Sequence, residues 1–434
     1  MSASKKLSLL SAIFINLNVM IGTGIFINTY NLSARMGAAG FLLYPIIGFC
    51  MLPLIAITGK LLEHFPTGGL YAFGKSYSSF LGFLSCWSYF FGKLASCALM
   101  LSVGTTMFQQ LIPATKAVSP ITMSLGILAF FTVLNLQNMK TGLIIQSFFL
   151  TAKSIPILFA IVAGILLFDS SAITTNSFIF SNMPFNIPLV LYCLAGFETA
   201  CSLSRNIENP SVNGPKAVYY SFGIIMVLYG IFQGLIYMNT YAMIPAMASY
   251  QDIFPTIAYK LFNNELIAHK VSILLSFAIG SSALGGAYGI LFSNSWNLYT
   301  LAENNHTFAA PTITQLNAYG TPWIAVLVES IVCSMFLFFN QTSALPLQQT
   351  AAFGILIAYT VTAFAYYQLL RKIGGTTRDF IISRAAFITC MIFVSSCTAS
   401  FFQTGLQSLL LFIIILCIGS MIFIYKSKEN INHR

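Results

Sequence analysis

Long apolar runs, each of about nineteen or more residues and nearly free of charge, recur along this chain of 434 residues and restrict how it can fold. A run of that length crosses the hydrocarbon core as a helix, because ~20 residues rising ~1.5 Å each cover ~30 Å. Twelve runs are read at roughly 8–31, 39–60, 80–111, 120–138, 143–168, 186–204, 216–241, 270–301, 322–340, 346–370, 381–402 and 405–425. The third and eighth exceed what a bilayer needs, which predicts tilt or extension beyond it. The two-residue alternation of a membrane β-barrel is absent. Only 7% of residues are charged, against ~25% in ordinary soluble proteins. A water-facing surface cannot be built from that inventory. The chain reads as an all-α membrane protein with twelve transmembrane helices.

The net charge of +10 is explained by where the charges fall. With both termini cytoplasmic, the inner segments hold Lys5, Lys6, Lys60, Lys75, Lys140, Arg205, Lys216, Arg371, Lys372, Arg378, Arg384, Lys426, Lys428 and Arg434. The outer side holds only Arg35, Lys116, Lys260 and Lys270. This bias predicts N-in and C-in, in agreement with an even number of spans. The basic balance therefore reports topology, and nucleic acid is not an expected partner. The nine cysteines all lie within runs, with no CxxC and no Cys/His spacing suited to zinc, and read as small packing residues. The four histidines fall at run ends or in loops, and no HExxH or Walker loop is present. No metal, cofactor or catalytic set is expected. The first run is too long for a signal-peptide core and leads straight into a second span. A plasma or inner membrane is the default location.

The first run is interrupted. In "NVMIGTGIF" (18–26), Gly22-Thr23-Gly24 stand where a continuous helix is expected, and each glycine costs a helix interior ~1 kcal/mol against alanine. The sixth run has a counterpart in "LYCLAGFETACSLSRNIENP" (191–210), where Ala195-Gly196 followed by Glu198 fall near mid-depth. The breaks fall in the first span of each of two five-span halves, and an odd number of spans per half makes the second enter the membrane inverted. Interrupted segments in corresponding places of two inverted halves point to a secondary transporter and its binding site. A helix broken at mid-depth exposes N–H groups on one side and C=O groups on the other, tolerated only where they line a cavity or meet a ligand. A zwitterion supplies both partners. The alternative for the glycines is close helix packing.

Four stretches carry a family resemblance. "MIGTGIF" is similar to G-[ST]-G-[IV]-F, and "FPTGGLYAFGKSYSSFLGFLSCW" (65–87) to P-x-x-G-G-x-Y. "AGFETACSLSRNIENPSVNGPKA" (195–217) is similar to G-[FV]-E followed by N-P…P-[RK]-A, and "NAYGTPWIAVL" (317–327), more weakly, to a T-P opening the ninth helix. Together they resemble the amino acid–polyamine–organocation superfamily, nearest in pattern to its basic amino acid and polyamine antiporters. The resemblance implies a LeuT-like 5+5 inverted-repeat core with discontinuous helices 1 and 6. The first repeat would be 1–168, the second 186–370, and two appended helices with a cytoplasmic tail 381–434. It implies alternating access, with substrate carboxylate at Gly22, Thr23 and the N–H of Gly24. The α-ammonium would meet carbonyls of Met20, Tyr192 and Ala195. Tyr192 matches an occluding aromatic and Glu198 a proton-responsive gate. The end of the eighth helix, 298–311, lacks the basic residues usual there.

Three ionisable residues fall deep in spans, where a central charge costs ~2.5–3.5 kcal/mol on insertion scales. Glu198 adjoins the second break and is a candidate proton carrier or a fixed hydrogen-bonding strut. Lys153, at the resembling fifth-helix position, would place its ammonium where sodium-coupled relatives hold Na⁺, which predicts sodium independence. Lys93 either disfavours cationic substrates or forms a structural pair with Glu198. Tyr288 is a candidate second aromatic wall or a core side chain. Glu329, in the peripheral ninth span, reads as structural or interfacial. The expected function is secondary transport of amino acids, exchanging or proton-coupled, and not enzymatic. A polyamine antiporter is the alternative; a membrane-embedded enzyme lacks a clustered polar set, and a transporter-like sensor lacks a signalling domain. Expected partners are a small amino acid or amine, protons and the bilayer. Oligomeric state is not legible.

Overall fold

The computed structural model describes residues 6–173, 178–339 and 344–432; Lys5, His433 and Arg434 lie outside them. Serine, threonine or asparagine side chains cap the N-termini of six α-helices among the described residues. Ser8 caps α1 (Leu9–Met20), and Ser78, Ser119 and Asn138 cap α5 (Ser79–Leu111), α6 (Pro120–Asn135) and α7 (Met139–Leu166). Between α1 and α5 lie α2 (Gly24–Met36), α3 (Ala39–His64) and the short α4 (Gly69–Lys75). The second half runs α8 (Met183–Leu194), α9 (Thr199–Ser202), α10 (Pro210–Thr240), α11 (Ile253–Leu261), α12 (Glu265–Glu303) and α13 (Ala310–Ile313). It closes with α14 (Trp323–Phe339), α15 (Ala344–Ile373), α16 (Thr377–Thr404) and α17 (Gln407–Asn432). Among the described residues, β-structure amounts to two isolated bridges.

The all-α membrane reading holds. Among the described residues, eight helices are long and apolar enough to cross a bilayer, and α1 with α2, bent by 42° at their break, make a ninth if counted as one span. The other three predicted runs fall on α6, α8 and α14, apolar helices of 16, 12 and 17 residues. The sixth run is helical for so short a distance because its break ends α8 at Leu194. The two runs read as over-long become α5, of 33 residues, and α12, of 39.

Burial orders these helices. The apolar windows of α5 and α12 are 83% and 78% buried, whereas that of α17 is 11% buried. The central pair is therefore enclosed by protein, and the last helix shows most of its surface outward. Exposed Phe49, Phe148, Ile165, Phe402 and Met421 form part of that outer surface, the expected sign of a lipid-facing wall. Leu7 and Tyr425, near the two limits of the described residues, reach one face. Leu7 pairs its backbone with Asn206 and Glu208, and Arg205 bonds Glu303 at the end of α12. On the same face Tyr425 packs against Phe308, just beyond α12.

Candidate functional site

The first helix stops because Ile21-Gly22-Thr23 leave the helical path. Its last carbonyls find partners from three other helices. Lys153 of α7, fully buried, donates from Nζ to Asn18 O at 2.7 Å and to Ile21 O at 2.5 Å. Ser282 of α12 also donates to Ile21 O, at 3.3 Å. Met20 O accepts from Tyr229 Oη of α10 at 2.8 Å and from Gly22 N–H at 2.9 Å. A lysine ammonium thus stands at the negative end of a half-helix, where a free cation would otherwise be favoured. On the far side of the break, Phe26 and Ile27 donate their N–H groups to Thr23 O at 3.1 and 3.0 Å, which leaves the N–H groups of Gly24 and Ile25 at the start of α2 without a partner among the described residues. The Thr23 hydroxyl beside them is buried, lies near the Tyr192 hydroxyl and makes no hydrogen bond within 3.5 Å.

The second break is built around one carboxylate. Gly196 takes φ of +125°, and its N–H, which would have continued α8, donates to Glu198 Oε2 at 2.7 Å. Tyr359 of α15 donates to the same oxygen at 2.7 Å, and Tyr89 of α5 to Oε1 at 3.0 Å. Lys93 of α5 completes the set with Nζ 2.9 Å from Oε1. Four donors surround a carboxylate with no solvent exposure. Such saturation is what an ionised carboxylate needs inside protein. The freed carbonyls of Tyr192, Cys193, Leu194 and Ala195 accept no hydrogen bond from the described residues.

Buried amides that the sequence reading passed over hold the two breaks together. Asn16 of α1 donates to Phe197 O at 2.8 Å and accepts from Ala200 N–H at 2.9 Å, tying α1 to α9. Asn28 of α2 donates to Leu189 O at 2.9 Å, tying α2 to α8. Their signal was present: four asparagines, at 16, 18, 28 and 31, flank the glycine break within one apolar run. Close approach then demands small residues. A Cβ on Gly24 would lie 2.6 Å from Cys193 Sγ and 2.9 Å from the Tyr192 ring. A Cβ on Gly196 would lie 2.7 Å from Met20 Cγ and 3.1 Å from Met20 N. Gly196→Ala combines that collision with a backbone angle that L-residues avoid, so a loss of ~1–3 kcal/mol is expected. The thermal midpoint of the purified variant measures it, and an unchanged midpoint would mean that the break relaxes freely.

Most residues singled out from the sequence meet here. Gly22 lies against Met100 of α5, Tyr192 bonds Ser96 Oγ at 3.0 Å, and Met20 contacts Gly196. Lys93 and Glu198 form the ion pair held open as one of two readings. Tyr288 stands elsewhere: its ring packs on Phe131, Phe149 and Phe292. The reason is helical phase. Gly286 and Gly289 turn toward Gly22 and Asn18, which carries Tyr288 round toward α6 and α7.

With two interrupted helices in contact, comparison with known proteins becomes specific. The family model described as amino acid permease matches residues 7–432. The chain belongs to the amino acid permease family. The permease is 25% identical to the serine/threonine exchanger SteT of Bacillus subtilis (strain 168), over 92% of this chain and 90% of that one. It is 24% identical to the aromatic amino acid transport protein AroP of Escherichia coli (strain K12), over 79% of this chain and 75% of that one. It is a multi-pass membrane protein of amino acid transport, and not an enzyme.

At one face of the permease, side chains from other segments gather at the end of α12, where 298–311 lacks basic residues. Arg205, from the link between α9 and α10, reaches Glu303 Oε2 at 2.8 Å and lies over the rings of Tyr299 and Trp296 at 4.9 and 5.9 Å. Tyr71 bonds His306 Nε2 at 2.8 Å. Burial and the neighbouring Lys75 lower the His306 imidazole to about 4, which keeps it neutral beside that cation.

Proposed function

We propose that this permease carries amino acids with uncharged side chains by alternating access, without sodium, coupled to a proton or to a counter-transported amino acid. The observation that carries the reading is the contact of two broken helices, one offering the unpaired N–H groups of Gly24 and Ile25 beside the Thr23 hydroxyl, the other unpaired carbonyls. The substrate carboxylate is assigned to Thr23 Oγ1 and the N–H of Gly24, with Gly22 giving room. The α-ammonium is assigned to the carbonyls of Tyr192 and Ala195, with the Tyr192 ring as the lid. Tyr229 already holds the carbonyl of Met20, so that group joins only if Tyr229 moves.

Charge supports the substrate class. Lys93 and Glu198 neutralise each other at 2.9 Å, so neither is free to select a charged side chain, and a polyamine would find no available carboxylate there. The relatives named for serine and threonine or for aromatic amino acids agree with uncharged side chains. Lys153 supports sodium independence, because its ammonium already occupies the carbonyls at the end of α1. The same proposal includes the two inverted repeats 1–168 and 186–370 with 381–434 appended, both termini cytoplasmic, and residence in a plasma or inner membrane.

The test is counterflow into proteoliposomes preloaded with single amino acids, in sodium-free buffer. Serine, threonine, alanine and aromatic amino acids are expected to exchange, and lysine, arginine, glutamate, agmatine and spermidine are not. Preference for a cationic or acidic solute would overturn the substrate class. Exchange that requires sodium would overturn the role of Lys153.

A further inference from the structure

Glu329 is the seventh residue of α14 and lies about one and a half turns from its start, with no exposed surface. Neither carboxyl oxygen has a hydrogen-bond partner among the described residues. It also lies in none of the ion pairs found there, all of which engage other carboxylates. Glu198 shows what an ionised buried carboxylate requires, four donors including a cation, and Glu329 has none of them. An isolated buried carboxylate is so unfavourable that the group takes up a proton instead.

Its surroundings contain no competing charge. The ionisable groups beside it are the thiols of Cys97, on α5, and Cys333, one turn along α14. Helix α14 packs on α5, α6, α12 and α13. Helices α6 and α13 carry no titratable side chain. On α12 the titratable groups are Glu265, His269 and Lys270 in the first turns, Tyr288, turned to Phe131, and Tyr299 and Glu303 at the far end. On α5 they are Cys86, Tyr89, Lys93 and Cys97, of which Tyr89 and Lys93 are committed to Glu198. The contact of Cys333 Sγ with Leu94 O places Glu329 behind the stretch of α5 that holds Lys93 and Ser96 against the second break.

We propose that Glu329 is the proton-binding site of the transport cycle, protonated while α14 and α5 stay packed as they are here and released when they part to admit water. The proposal rests on the transport reading above and moves the proton role from Glu198, whose lone pairs are already taken, to a carboxyl behind the substrate site.

Infrared difference spectroscopy of the purified full chain at neutral pH reads the proton directly, and with only ten Asp and Glu the signal is assignable. A C=O stretch of a protonated carboxylic acid is expected in the wild type and in Glu198→Gln, and is expected to vanish in Glu329→Gln. In proteoliposomes, an inward gradient of about one pH unit supplies up to about tenfold accumulation of L-serine or L-phenylalanine per coupled proton. That accumulation is expected in the wild type and lost in E329Q, while counterflow at equal pH persists and reports an intact fold. A wild type without the protonated-acid band, an E329Q band equal to that of the wild type, or undiminished accumulation by E329Q overturns the proposal. Counterflow without any response to the pH gradient in the wild type also overturns it and leaves the proposed function standing. Absence of counterflow for every amino acid would instead sink the proposed function, with the band still deciding protonation.

Discussion

Lys153→Ala is expected to abolish uptake in sodium-free medium. The substitution strips Asn18 O and Ile21 O of a buried ammonium donor. Hydrogen bonds to charged groups are worth ~1.5–3 kcal/mol each, so the end of α1 loses ~3–6 kcal/mol of organisation, or ~10²–10⁴-fold if all of it is felt in the transport barrier. The void left behind is lined by those carbonyls and the Ser282 hydroxyl, oxygen donors of the kind a small hard cation takes. Partial recovery in sodium medium, absent in choline medium, is therefore expected. Uptake by K153A within tenfold of wild type in choline would show that the ammonium does not organise the break.

The second large effect concerns the Lys93–Glu198 pair. Removing one partner of a buried ion pair leaves an uncompensated charge and costs ~3–5 kcal/mol, whereas removing both can be nearly neutral. Glu198→Gln is expected to be the harsher single change, because Tyr89, Tyr359 and the Gly196 N–H share the same carboxylate. Lys93→Met should be milder, since those three donors remain for Glu198. The double variant should recover much of the loss in thermal midpoint and give a coupling energy above ~1 kcal/mol in a double-mutant cycle. Additive effects would mean that the pair is not a stabilising unit. Lys93→Asn also tests substrate choice, where the pair reading expects no swing between lysine and glutamate.

Much of the site was legible because breaking a membrane helix leaves marks in a single strand of text. Gly22, Gly24 and Gly196 stand in otherwise apolar runs, and Glu198 is a charge that nothing local accounts for. The starts of α5, α6 and α7 also carry local marks, the capping residues Ser78, Ser119 and Asn138, although hydropathy alone bounded those runs. Partnership was not legible. Nothing in the run containing Lys93 indicates that it meets Glu198 rather than a substrate, since 105 positions separate them and the pairing depends on how α5 packs. Tyr288 was assigned by residue type, and helical phase on α12 turned it away. Asn16 and Asn28 were written plainly in the first run, but their task is to clasp α9 and α8, segments remote in the chain.

By itself the sequence determined the solvent this chain folds in, the class of fold and the two places where its helices fail, because hydropathy and backbone propensity are properties of short stretches. The tertiary structure alone decided which buried charges are satisfied. Lys153 is spent on carbonyls, Lys93 and Glu198 on each other, and Glu329 on nothing. That distinction is a matter of a few ångströms between helices far apart in sequence, and in a low-dielectric interior those few ångströms decide whether a side chain stays charged or holds a proton.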